Sequence, residues 1–182
     1  MTLQEQTSDV QPSGRKDSQT VDQDGRELFG EIEGADVVRL HPIADGRGSL
    51  TPFLSLADSF WREPVVYAYS VNFRPGVIKG WGMHRRQTDR YFVPAVRIRV
   101  VLYDGRVGSP TFERFQEVWF SEASGGVVRI PPGVWHADQN WGETDASLVN
   151  FPTLPYDPVD PDKYRIDPRS GEIPFDWTVR DG

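Results

Sequence analysis

At 182 residues, of which 37% are hydrophobic, the chain can bury one sizeable core and is too short for two ordinary domains. Its 20 basic and 27 acidic side chains leave a net charge of -7, so it has no general attraction for nucleic acid or an anionic membrane, and any anionic ligand must be held by local arginines. It has no cysteine, which excludes a disulfide framework, a thiolate nucleophile and a zinc ribbon, and fits a reducing, cytoplasmic setting. Residues 1–28 are polar and almost free of large apolar groups, which predicts a flexible tail without an apolar h-region; residues 29–182 read as a single domain. From Val37 the texture changes to short β-rich runs, DVVRLHPI, PVVYAYSVNF, RYFVPAVRIRVVLYD, FQEVWFS, GVVRIP and ASLVNFP, cut by turns rich in glycine, proline and asparagine. In VRIRVVLYD, Val96, Ile98, Val100 and Leu102 fall on one face, and Arg97, Arg99, Val101 and Tyr103 on the other. One short helix is predicted in FLSLADSFW. Many short strands predict an antiparallel sandwich or barrel, and the proline-rich ending, LPYDPVDPDKYRIDPRSGEIPFDW, should wrap its surface. No segment approaches the roughly 18 apolar residues of a membrane span.

There are three histidines. His41, before Pro42, reads as packed or exposed. His136 lies in GGVVRIPPGVWHADQN, whose spacing from Gly125 through Pro131, Gly133 and His136 to Asn140 resembles the second conserved motif of cupins. The Pro/Gly turn there sets the register that turns the histidine into the barrel. The resemblance implies an all-β cupin jelly roll of antiparallel strands. His84, in GWGMHRRQTDRY, is open to three readings: a base, a metal ligand or a packed imidazole. In metal-binding cupins two histidines separated by one residue precede a glutamate, but here Arg86 takes the second histidine's place, and it is no ligand. A metal held by His84, Asp89 and His136 is the alternative, opposed by the neighbouring arginines; no metal or other cofactor is expected.

A narrower resemblance is to the dTDP-4-dehydrorhamnose 3,5-epimerase family. It is carried in order by ADGRGSLTPFL, PGVIKGWGMH, LYDGRVGSPTFERFQEVWFSE, IPPGVWHADQ and RIDPRSGEIPFDW, spanning most of residues 45–177. The resemblance makes His84 a base that removes a proton beside a ketone without a metal. The enolate oxygen then needs a cation, for which Arg85, Arg86 and Arg90 are candidates by their proximity to His84 in sequence, while Arg47 and Lys79 match the family positions that hold the nucleotide's phosphates. His136 supports the base, and Asn72, Arg86 and Phe151 join the substrate-binding set. It also implies a nucleotide-sugar as the small-molecule partner, and a homodimer formed by exchanging N-terminal strands, with VVRL available.

The chain departs from the family in several places. GVIKGWGMH has two residues more before the histidine, and the family's catalytic lysine is replaced by Asp89 or Arg90. The tyrosine acid falls on Phe151, after Asn150, and a phenyl ring has no proton to give. Tyr156 resembles a second tyrosine of the family and is the candidate acid. The predicted function is thus an isomerase acting on a nucleotide-linked 4-keto-deoxysugar, with single rather than double epimerisation. The alternatives are a non-catalytic sugar-binding cupin and a metal-dependent cupin oxygenase or isomerase.

Overall fold

Period-two alternation sets the strands from which the fold of this chain is built. The computed structural model describes residues 31–178 together with Gln19, Val21 and Gln23, so most of the predicted tail, 1–28, lies outside the described residues. In chain order the strands are β1 (Asp36–Arg39), β2 (Ile43–Asp45), β3 (Gly48–Leu50), β4 (Tyr69–Phe73), β5 (Ile78–Met83), β6 (Asp89–Val93), β7 (Ile98–Asp104), β8 (Phe115–Trp119), β9 (Gly126–Ile130), β10 (Val134–Asn140), β11 (Ala146–Asn150) and β12 (Tyr164–Arg165). One five-stranded sheet has the order β1-β9-β6-β11-β4, a second has β12-β5-β10-β7-β8, and β2 and β3 form a separate hairpin. Every pairing is antiparallel. No helix among the described residues is long and apolar enough to cross a membrane.

Between the sheets lies a core that includes Phe73, Val93, Ile98, Val100, Leu102, Val128 and Leu148, so β7 presents inward the face that its alternation predicts. Its other face, with Val101 and Tyr103, joins a second cluster with Trp81, Ala137, Phe175 and Trp177. The C-terminal segment covers this outer face. It pairs with β5 at a sheet edge, where the missing N–H of its prolines costs no ladder bond, and Trp81 and Ile166 exchange backbone hydrogen bonds of 2.7 and 3.1 Å. The predicted helix in FLSLADSFW is limited to a single 3-10 turn, Ser59–Trp61, capped by Asp58. Nine residues are too few to stabilise a helix alone. The segment instead places Phe53, Phe60 and Trp61 on the outer face of the first sheet and leaves Leu54 and Leu56 exposed.

Two local features position the site. The first is a bulge in β5: His136 pairs with Gly82 and Asp138 with Lys79, so Gly80 and Trp81 together face Ala137. Gly80 has φ +150°, and a Cβ there would fall 2.3 Å from the Ala137 Cβ. The bulge turns Trp81 outward into the second cluster and leaves Lys79 and Gly82 on the lumen side. The second feature is a knot at the end of β7, where the fully buried Asp104 accepts from Arg106 Nε at 2.8 Å and from the Ser109 and Thr111 hydroxyls at 2.6 Å each.

Burial alone would raise the Asp104 carboxyl, but these donors outweigh it and hold it below the usual carboxylate range. Its contribution to stability is therefore complete above the unfolded pKa, about 4, and is lost as the pH falls through the lower folded value. We expect Asp104→Asn to lower the unfolding free energy by about 2 kcal/mol at neutral pH. The difference from the unmodified protein should shrink in strong acid, as measured by denaturant titration at a series of pH values.

Candidate active site

His84 directly follows β5, and its placement is fixed from both sides. Its own carbonyl accepts from Gly133 N–H at 2.7 Å, tying it to the turn that precedes β10. Its ring lies over that of His136 with centroids 5.5 Å apart and planes 20° apart. A side chain on Gly82 would approach His136 Nε2 to 3.2 Å, so the absence of one there gives the second imidazole its room. Beneath both rings lies Asp89, the first residue of β6, 2% exposed, with Oδ2 3.3 Å from His84 Nε2 and 3.6 Å from His136 Nε2. The 3.3 Å contact is within ion-pair range without the alignment of a hydrogen bond. Gln87 Nε2 donates to the other Asp89 oxygen at 2.8 Å.

The electrostatics differ sharply between the two histidines. Burial opposes charge on His84, but the Asp89 carboxylate outweighs it and raises the pKa. His84 Nδ1 donates to the carbonyl of Asp162; a carbonyl can only accept, so with Asp89 facing Nε2 the ring is drawn toward the doubly protonated form. His136, its Nδ1 3.4 Å from the Val134 carbonyl, is lowered to about 4, chiefly by burial, and is neutral at pH 7. Asp89 itself is held down at about 2: burial pushes it up, and the two histidines more than reverse that. Two strand positions away from His136, Asp138 is pushed up to about 8 by burial and by the charge of Asp89, so it carries a proton near neutral pH.

A cavity of about 620 Å³ opens beside His84, lined also by Tyr67, Tyr69, Arg86, Tyr156 and Lys163. That is the volume range of small-ligand sites. Lys163 is exposed as a residue, yet its pKa is lowered, first by loss of water around the ammonium and next by Arg165. A larger hollow, about 1080 Å³, runs along β1 and the 3-10 turn; it contains His41 and none of this chemistry.

The residues singled out in the sequence separate accordingly. His84, Arg86 and Tyr156 line the cavity, and His136 stands behind His84. Lys79 shares the lumen side, its ammonium 5.6 Å from the Phe73 ring, without reaching the cavity wall. Asn72 is an exposed residue of β4, away from the cavity. Arg47 is on the β2–β3 hairpin, its side chain 90% exposed and paired with Asp45. Arg90 is a correction: alternation along β6 turns it outward, where its guanidinium donates to the carbonyls of Phe151, Glu63 and Pro64. Phe151 is another, packed outside the first sheet with Phe53 and Trp61. Asp89, weighed in the sequence only as a metal ligand or as an occupant of the lysine position, is the centre of the charge network. Tyr69 and Lys163 were not singled out at all. Tyr69 had a signal in the alternation of YAYSVNF, whereas nothing in the proline-rich strap marks Lys163.

Among the described residues, His84, Asp89 and His136 also form the one group of donors, all within 4.8 Å of one another, that could hold a metal ion. Two imidazoles and a carboxylate suit a divalent transition metal. The arginines expected to oppose a cation point away: Arg85 lies over Tyr164, and Arg86 pairs with Asp160.

No protein-family model matches the sequence. The chain is 36% identical over 150 residues to a Haloferax volcanii protein named as a probable low-salt glycan biosynthesis epimerase, a match covering 81% of this chain and 96% of that protein. The chain belongs to the dTDP-4-dehydrorhamnose 3,5-epimerase-like family. Among solved structures, a dTDP sugar isomerase from Desulfovibrio desulfuricans G20 is 32% identical, with a TM-score of 0.75 over 85% of this chain and 96% of that one. The dTDP-4-dehydrorhamnose 3,5-epimerase from Sulfolobus tokodaii is 26% identical, with a TM-score of 0.68 over 84% and 86%. The cupin jelly roll expected from the sequence is thus the fold of this epimerase-like family.

Because the Asp89 charge raises His84, Asp89→Asn should make His84 titrate at lower pH than in the unmodified protein. Histidine ring resonances followed by NMR against pH test this; an unchanged midpoint would contradict the placement.

Proposed function

We propose that the protein is an isomerase that moves a proton at a carbon next to the ketone of a nucleotide-linked 4-keto-deoxysugar, with His84 as the base and a single inverted centre. The observation that carries this reading is the buried His84 and Asp89 pair, 3.3 Å apart at the wall of a cavity of about 620 Å³. A base must be held in one tautomer. Asp89 favours the proton on Nε2; when the Asp162 carbonyl gives up its place, the Nδ1 proton passes to solvent, and the freed Nδ1 takes the substrate's proton. Negative charge then develops on the ketone oxygen and requires a fixed cation. Lys163, on the same cavity wall, supplies it in place of Arg90. Arg86 and Arg165, also on that wall, suit phosphate oxygens. Relatives named as an epimerase and a dTDP sugar isomerase support the substrate class.

The proposal extends to a homodimer in the cytoplasm, the latter supported by the absence of cysteine. Within its own chain the VVRL segment is used, since β1 pairs with β9. The next two strands are exposed throughout, with Ile43 67% and Leu50 63% exposed. A second copy is the natural cover for that hairpin, and would receive Arg47 at its cavity. Mixing Arg47→Ala chains with His84→Ala chains should then restore activity above that of either variant alone, because one of the two cavities in a mixed dimer would have both residues intact.

A second reading, a metal-dependent cupin, draws on the His84, Asp89 and His136 donors within 4.8 Å. One experiment separates the two. Incubated with a 4-keto nucleotide sugar in heavy water, the protein should introduce deuterium beside the ketone, with or without a chelator, and His84→Ala should slow this at least about 100-fold. Exchange that vanishes with the chelator and returns with a transition metal would favour the metal reading. Tight binding of such sugars with no exchange would leave a non-catalytic sugar-binding cupin.

A further inference from the structure

Inversion at a carbon requires a proton to leave one face and another to arrive at the opposite face. His84 follows β5, in the second sheet. The donor must therefore come from across the cavity, and three tyrosines line that cavity besides His84: Tyr67, Tyr69 and Tyr156. Tyr156 is 63% exposed and Tyr67 38% exposed, and no hydrogen bond fixes either hydroxyl among those described. Tyr69 differs in both respects. It begins β4, in the first sheet, half-buried and on the same inward face as Val71 and Phe73.

The strand register then determines the direction of its proton. Asn150 of β11 pairs directly with Tyr69, and its Oδ1 accepts from Arg90 N–H at 3.1 Å. That bond fixes which end of the amide is which. Nδ2 therefore faces Tyr69 and donates to its hydroxyl oxygen at 2.9 Å. With the oxygen accepting, the phenolic proton is free for a partner in the cavity.

Resting on the function proposed above, we propose that Tyr69 is the proton donor of the inversion, delivering to the carbon face opposite His84 from a strand that neighbours the place where the sequence led us to expect the acid. His84 Nδ1 takes the proton from carbon as the enolate forms. The Tyr69 O–H bond then breaks as a new C–H bond forms on the other face and the ketone is restored. The enzyme is left with one proton more on His84 and one fewer on Tyr69, and solvent restores both. Burial and the Asp89 charge push the phenol up to about 12, so it stands protonated at neutral pH before each turnover.

The test compares exchange and inversion in the same sample. Tyr69→Phe removes only the hydroxyl and keeps the packed ring. It should slow inversion at least about 100-fold, while deuterium exchange at the same carbon, with configuration retained, stays within about threefold of the unmodified rate. The retained exchange itself reports a folded, loaded site. Inversion at the unmodified rate in Tyr69→Phe overturns the assignment, and so does loss of inversion in Tyr156→Phe while Tyr69→Phe still inverts. Loss of exchange together with inversion in Tyr69→Phe also overturns it, since the hydroxyl would then serve the base step. Absence of exchange in the unmodified protein would instead bring down the base assignment on which this one stands.

Discussion

A carboxylate with almost no access to water is the constraint around which the interior is arranged. Removing Asp89 from solvent costs several kcal/mol unless partners compensate. The chain compensates with His84 and His136 on one oxygen and Gln87 on the other. The consequences spread outward from that charge. It raises the pKa of His84 against the effect of burial, is outweighed by burial at His136, and adds to burial in keeping Asp138 protonated two positions along from His136. Three ionisable side chains within one lumen are thus shifted in different directions by the balance between burial and a single negative charge.

The fold was legible in the sequence because its signals are local. Alternation in VRIRVVLYD separated the inward Ile98, Val100 and Leu102 from the outward Val101 and Tyr103, and the Pro131 and Gly133 turn gave His136 its inward direction. The same alternation, applied to DRYFV, would have turned Arg90 outward and Asp89 inward. Proximity to His84 in sequence was a poor guide, because neighbours in a strand face opposite sides. What local patterns do not carry is pairing between distant strands. Tyr69 and Asn150 meet only because β4 lies beside β11, and Lys163 arrives on a segment whose prolines give no periodic signal at all.

The C-terminal segment therefore does more than cover apolar surface. The Asp162 carboxylate accepts from the backbone N–H groups of Arg85, Arg86 and Gln87, at 3.0, 2.7 and 3.1 Å, so the segment is bonded to the loop that follows His84. Its carbonyl accepts from His84 Nδ1, the nitrogen proposed above to take the substrate's proton. The same short stretch therefore holds both the partner of His84 Nδ1 and, at the next residue, Lys163 on the cavity wall.

The bulge in β5 has a consequence for how such a site can change over time. Lys79 and His84 are five positions apart, an odd interval that would put them on opposite sides of a regular strand. The doubled residue at Gly80 and Trp81 acts as a phase correction and returns both to the lumen. One inserted residue is absorbed on the outside, where an indole fills space against the C-terminal wrap instead of disturbing the interior. The side chain that faces Asp138 across the sheet and the one that lies over His136 are thus kept in phase by a single irregularity between them.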